Sequence, residues 1–501
     1  MSLMGIDVGT SGCKAVAFDL QGRILASAYR DYPLVQLRED WVELEPEGIW
    51  KAVLEVLREA GSRLSADPVT GIGVSSQGET VTAVDEKGNS LCNFIVTFDN
   101  RTIEQASFWE KRLGREAIYR ITGMPLHPMY SINKILWIKE NRPDVFKNAS
   151  RFPLVEDFVI ARLCGEYAID FTLAARTMAF DVRKLCWSAE ILEAAGVDEH
   201  LLSRVVPSGT KVGELHPLLR AELGFAQTVS IVTGGHDQPC GALGAGIIGS
   251  GTAMNATGTV DAICPVFENP AFSAKMLQDN YAVYPYTIPG LYCTIGFNLT
   301  GGLLLKWYQD TFCGMEVQKA KEACISAYDM ILAGMANTPK DLYVLPHFVG
   351  SGTPDLDPFS KGAIVGLRIS TTKADVTRSI IDGINFEMKL NIERLRANGI
   401  PIRTIHAVGG GAKSDAWLRL KASCFGLPVL RPRTREAVSL GAAVLAGCAT
   451  GSFSSVQEGV QAMVAIQDSF EPDEKLRVLY EEKFAKFREL YPLLARFNKS
   501  I

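Results

Sequence analysis

The chain is 501 residues long, more than one hydrophobic core usually supports, so two domains are the expectation. Hydrophobic residues at 47% and charged residues at 21% leave little room for long disorder, and a net charge of −5 with scattered basic residues excludes a nucleic-acid footprint. Eleven cysteines form no C-x-x-C pair and no charged-then-apolar leader opens the chain, which argues against a zinc site, a disulfide framework and export, and points to a cytoplasmic protein.

Alternating apolar residues predict strands near 3–8, 13–19 and 24–30. The first turn, Gly9-Thr10-Ser11-Gly12 followed by Lys14, can aim backbone N–H groups and two hydroxyls at a phosphate, and Asp7 enters it as an acid able to hold hydrated Mg²⁺. An ordinary glycine hairpin turn reads equally well from these residues alone. A helix over 46–64 is announced by Pro46 and carries Ile49, Trp50, Val53, Leu54 and Leu57 on one face. A strand at 70–75 runs into the polar turn Ser75-Ser76-Gln77-Gly78-Glu79, and a hairpin turning at DEKGN spans 80–96.

Asp99 and Arg101 follow an apolar strand and suit either sugar hydroxyls or a surface ion pair of little worth. Residues 101–225 read as a mostly helical insertion, in which Lys134 and Trp137 are taken as surface and packing residues. In VTGGHDQPCG, 232–241, Asp237 lies between a strand ending at Val232 and a helix starting near Pro239. It is either a helix cap or a general base at the sheet edge, and His236 beside it is a packing or hydrogen-bonding residue.

The uncharged stretch between Asp237 and Asp261 is rich in glycine and suits a helix, turn and strand better than a membrane span. A hinge is expected at 244–251. Residues 253–264 then repeat the strand, Gly-Thr turn and strand of the N-terminus, with further strands at 282–284 and 291–295 and helices at 301–312 and 315–335. In 406–426 a strand meets the triple glycine Gly409-Gly410-Gly411 and a helix starting near Ser414, a turn that lets a ring or phosphate approach the backbone. Its spacing matches neither G-x-G-x-x-G nor a Walker A loop.

Two longer segments make the whole recognisable. MYSINKILWIKEN at 129–141 and GAIVGLRISTTKADVTRSIID at 362–382, the latter preceded by LPHFVGSGTPDLDP at 345–358, resemble the two signatures of the FGGY carbohydrate kinases, within the actin/hexokinase/Hsp70 ATPase superfamily. The resemblance implies an α/β fold of two ribonuclease H-like (actin-like ATPase) domains with a cleft between them. It places an N-terminal, sugar-binding domain at 1–246, with its insertion at 101–225, and a C-terminal, nucleotide-binding domain at 247–501.

It further implies ATP and Mg²⁺ as cofactors, a small sugar or polyol as partner, and neither nucleic acid nor membrane; a homodimer is common among such enzymes. By resemblance, Asp7 is the metal-associated acid, Gly9, Thr10, Ser11 and Lys14 form the first phosphate loop, and Gly258 and Thr259 the second. Val260 stands where Ser or Thr is frequent. Gly301 and Gly302 line the nucleotide, Gly410, Gly411, Ala412 and Asp415 the adenine side, and Asp237 is the catalytic base. Gln77, Glu79, Asp99 and Arg101, with Asp237, face the sugar.

Glu79 matches the glycerol-kinase acid, but Gly78 lacks that family branch's arginine and Thr97 replaces a frequent Trp. A roomier pocket follows, with a ketopentose such as xylulose expected and glycerol, tetrulose, ribulose or gluconate as alternatives. A non-kinase actin-like ATPase or a sugar sensor is the less favoured reading.

Overall fold

The computed structural model describes residues 1–38, 40–64, 67–269 and 272–500. Two mixed sheets dominate it. In the first, strand Ser2–Val8 pairs antiparallel with Gly12–Phe18 and parallel with Val69–Ser76, which pairs parallel with Ser230–His236. Lys211–Glu214 and Ile24–Asp31 close the two edges. The second sheet repeats this order: Gly251–Thr257 pairs antiparallel with Asp261–Phe267 and parallel with Ile402–Gly409, beyond which lie Val429–Pro432 and Ile466–Phe470. The half-chain repeat seen in the sequence is therefore a repeated sheet, and the architecture is that of two α/β domains of actin-like ATPase type.

The helix after each sheet crosses toward the other. Ala437–Ala449 lies on strands Ser2–Val8 and Val69–Ser76 of the first sheet, and Asp237–Gly244 packs along it. The crossing is close enough that a Cβ on Gly244 would sit 1.8 Å from the Ala437 carbonyl oxygen, and one on Gly441 would sit 2.0 Å from that of Cys240. Gly244, expected as part of a hinge, thus has a packing reason of its own.

Several expected elements shift. The hairpin at 80–96 reduces to single bridges, Val81 with Ile95 and Val84 with Ser90, because Val81 and Val84 also bridge Leu154 and Arg151 while Phe94–Ile95 pairs with Trp41–Leu44. The helix at 315–335 is two, Gly314–Glu322 and Ala327–Ala333, broken where Cys324 takes a positive φ of 54°. Within the span expected as a helical insertion, Lys211–Glu214 is a strand paired with Ser230–His236 in the first sheet. Among the described residues, no helix is long and apolar enough to cross a membrane.

Candidate active site

The strand expected to end at Val232 runs on to His236, and its helix starts at Asp237 rather than Pro239. Gly234 and Gly235 break the sequence pattern without breaking the strand. A Cβ on Gly234 would lie 2.4 Å from the Val74 carbonyl oxygen of the neighbouring strand, so glycine is what lets the strand continue. Asp237 is the first residue of the helix, with His236 at the cap position; its carboxylate accepts from the backbone and side chain of its neighbour Gln238 and stands 3.2 Å from His236 Nε2, with 30% of the side chain exposed. Burial, helped by repulsion from Asp7 and Glu79, pushes it up to about 7.

Asp7 stands on the first strand, paired across the hairpin with Lys14 and across the sheet with Ser75. Burial raises it to about 6, with Lys14 pulling it down and Glu436 adding repulsion. Lys14 Nζ donates to Glu436 Oε2 at 2.8 Å, so its charge is shared with a residue just before the crossing helix. The hairpin tip is braced from behind. Tyr32 donates its hydroxyl to the Gly9 carbonyl at 2.5 Å and Gln77 Nε2 to the same oxygen at 3.1 Å, while Thr10 donates to Gln77 Oε1 at 2.9 Å. Gln77, expected to face the sugar, thus uses its amide to hold the phosphate hairpin. Ser11 is exposed at the tip.

The nucleotide-side segments meet as one backbone surface. The second hairpin closes with Gly258 N–H on the Val260 carbonyl at 2.9 Å. Gly301 N–H donates to the Thr259 carbonyl at 2.9 Å and Gly302 N–H to that of Gly258 at 2.7 Å. The triple-glycine turn docks on the same strand end: a Cβ on Gly411 would lie 2.7 Å from Thr257 Cβ. Gly410 and Asp415 are exposed there, and Ala412 is buried. Asp415 carries an ion pair to Arg431 at 2.8 Å and opens the helix Asp415–Phe425, with Ser414 as its cap.

Around Glu79 the geometry differs from expectation. Glu79 is buried, holds a positive φ of 58°, and takes both Nε and a terminal nitrogen of Arg176 on Oε1. Lys134, expected at the surface, is fully buried and donates Nζ to the Glu79 carbonyl at 2.8 Å; burial brings it down to about 7. Asp99 and Arg101 form no surface pair. Arg101 donates to both Asp99 oxygens and to Glu43, and its guanidinium lies 4.4 Å and 4.9 Å from the ring centroids of Trp41 and Trp137.

Two residues beside the candidate site escaped the sequence because only long-range packing brings them in. Strand Ala168–Asp170 and helix Phe171–Ala175 set Thr172 beneath the base: its hydroxyl accepts the His236 N–H at 2.7 Å and donates to Asp170 at 2.8 Å. Arg176 follows directly on that helix. Burial, with Arg176 adding repulsion, holds His236 well below the usual imidazole range, so it is neutral, with Tyr284 Oη 3.3 Å from Nδ1. The local signal available was Asp170-Phe171-Thr172, an acid and a hydroxyl at a helix start.

The profile of the FGGY family of carbohydrate kinases matches in both halves, its N-terminal domain over residues 2–244 and its C-terminal domain over 254–450. The chain is 28% identical to the xylulose kinase of Bacillus subtilis, covering 100% of this chain and 98% of that one. It is 27% identical to the gluconokinase of Bacillus licheniformis over 100% and 96%. Its fold is similar to that of the ligand-bound xylulose kinase from Lactobacillus acidophilus, with a TM-score of 0.89 and 26% identity over 99% of this chain and 98% of that one.

Proposed function

The chain belongs to the FGGY family of carbohydrate kinases, and from that premise we propose that it moves the γ-phosphoryl group of ATP to a terminal hydroxyl of a small sugar or polyol, a ketopentose such as xylulose being favoured. The observation carrying this reading is Asp237: a carboxylate at a strand–helix junction, raised to about 7 by burial and by repulsion from Asp7 and Glu79. That value suits a general base at neutral pH.

Phosphoryl transfer leaves little covalent work to the protein, so placement and charge neutralisation carry it. The backbone surface of 257–259, 301–302 and 409–412 would hold the nucleotide, and the tip at 9–12 would grip the phosphates from the other side. Asp237 would take the proton of the attacking hydroxyl, next to a His236 whose backbone N–H is held by Thr172 and whose ring is neutral. Asp7, a hard carboxylate buried near Glu436, is the residue that would hold Mg²⁺. When bound, the ion supplies charge neutralisation on the phosphates. Length-wide similarity to a xylulose kinase supports the ketopentose.

The test is an ADP-release screen over ketoses, aldoses, polyols and sugar acids, run with wild type and Asp237→Asn. Loss of kcat on the order of 10²–10⁴ with acceptor binding little changed is expected. Wild-type kcat in the variant removes the assignment.

A further inference from the structure

We propose that Arg176 is a specificity-determining residue that confines the acceptor to uncharged polyols and ketoses and turns aldonates away; this rests on the kinase reading above. A carboxylate on the acceptor needs a cation with donors to spare. Among the described residues around Glu79 and Asp237, each cation is engaged. Arg101 is held by Asp99 and Glu43, Lys14 by Glu436, and Lys134 is enclosed against the Glu79 carbonyl. Arg176 gives Nε and one terminal nitrogen to Glu79, turns its other edges to the sulfurs of Met124 and Met129, and has Tyr130 and Tyr284 at 5.4 Å and 5.5 Å from its centre. His127 and His236 are both neutral, for burial brings the first to about 4 and holds the second well below its usual range.

The same pair leaves an acceptor for hydroxyls. Among the described residues, Glu79 Oε2 has only Thr97 Oγ1 at 3.2 Å, and that hydroxyl lies closer to the Gly78 carbonyl, at 2.8 Å. One proton cannot serve both, so Oε2 is free to take an O–H from a substrate. Gly78 makes the arrangement possible: a Cβ there would lie 3.2 Å from the His236 ring and 3.4 Å from Arg176 Cγ. The cation of this wall therefore comes from position 176, already neutralised, and an aldonate would bring a further carboxylate toward Asp7, Glu79 and Asp237.

The experiment compares wild type, Arg176→Lys and Glu79→Gln with D-xylulose, glycerol and D-gluconate. It reads ADP release and, without ATP, protection by each acceptor against thermal unfolding. Expected are a wild-type preference of at least about tenfold for a neutral acceptor over gluconate, and about a tenfold rise in acceptor KM in Arg176→Lys with the ATP KM unmoved. In Glu79→Gln the freed guanidinium should shift selectivity about tenfold toward gluconate. Gluconate as the best wild-type acceptor, or an Arg176→Lys enzyme changed only in stability, overturns the proposal. Should Glu79→Gln not fold, the lysine variant decides. If no acceptor releases ADP the kinase reading fails, while the protection data still judge Arg176.

Discussion

The hairpins Ser2–Phe18 and Gly251–Phe267 share topology and neighbours, yet place their ionisable groups oppositely. In the first, Asp7 and Lys14 stand beside the cleft, and the bracing behind the tip comes from neutral groups, Tyr32 and Gln77. In the second, the charge lies buried just below the turn: Asp261, the residue that follows it, and Lys421 of the helix Asp415–Phe425 are wholly buried, 3.4 Å apart, with Asn255 and Thr257 completing the lysine's contacts. Both tips, Gly9 to Gly12 and Gly258 to Val260, are themselves uncharged. One fold used twice thus keeps one ionisable pair half-buried and encloses the other.

The largest effect that separates them is expected from matched substitutions of the two acids. Asp7→Asn should lower kcat by about 10² or more, whereas Asp261→Asn should leave it within a few-fold, because that side chain never reaches the cleft. Stability should move the other way for Asp7. Its folded-state value of about 6 exceeds the ordinary 3.8, so the folded chain binds more protons between those values and loses stability as pH rises through them. Asp7→Asn should therefore raise the ligand-free melting temperature at pH 8 and change it little at pH 4. Equal catalytic losses in the two variants would erase the distinction.

Next in size is Lys421→Met. Among the described residues Asp261 Oδ2 already lacks a partner, and removing the lysine leaves a buried carboxylate without its counter-charge, held through Oδ1 by the neutral Asn255 and Thr257, which costs about 3–5 kcal/mol. Urea unfolding measures this, and adding Asp261→Asn to Lys421→Met should recover part of the loss. A lysine variant as stable as wild type would mean that the buried pair does not hold the second hairpin.

Both hairpins were legible because period-two alternation and glycine tips are local signals. The same locality explains the misreadings. Gly234 and Gly235 read as the end of a strand, but they serve close contacts with Val74 and Thr172 that no local pattern reveals. Lys134 reads as a surface residue because lysine usually is one; its partner carbonyl lies 55 residues away in sequence. Arg176 lies 97 residues from Glu79, and only the packing of strand Ala168–Asp170 and its helix brings them together. Asp99 and Arg101 were found by type and spacing, whereas their burial came from Trp41 and Trp137, which the sequence does not place beside them.

A third difference is in pH dependence. With Asp237 near 7, acceptor kcat/KM should rise tenfold per unit of pH on the acid side and level off above about 7. Asp7 repels the Asp237 charge, so its replacement by Asn should move this limb to lower pH. Asp261→Asn should leave it where it is. An unmoved limb in the residual activity of Asp7→Asn would put the two acids out of electrostatic contact and weaken the picture of a base facing a phosphate hairpin.

The smallest effect concerns the uncharged second tip. Val260 is 39% exposed, and its carbonyl already closes the turn with Gly258, so only its side chain is open to change. Val260→Thr keeps the shape and adds one hydroxyl donor beside Thr259. A single added hydrogen bond nets about 0.5–1.5 kcal/mol, which is roughly two- to tenfold in affinity. The ATP KM, read by ADP release at saturating acceptor, should fall by that factor with kcat unchanged, since the contact would be made equally in the ground and transition states. The converse change in the first hairpin, Thr10→Val, should act differently: that hydroxyl is already given to Gln77, so its loss loosens the brace on the Gly9 carbonyl and lowers kcat as well. If Val260→Thr leaves the ATP KM unmoved, the second hairpin binds through backbone N–H groups alone, and the contrast between the two tips is sharper still.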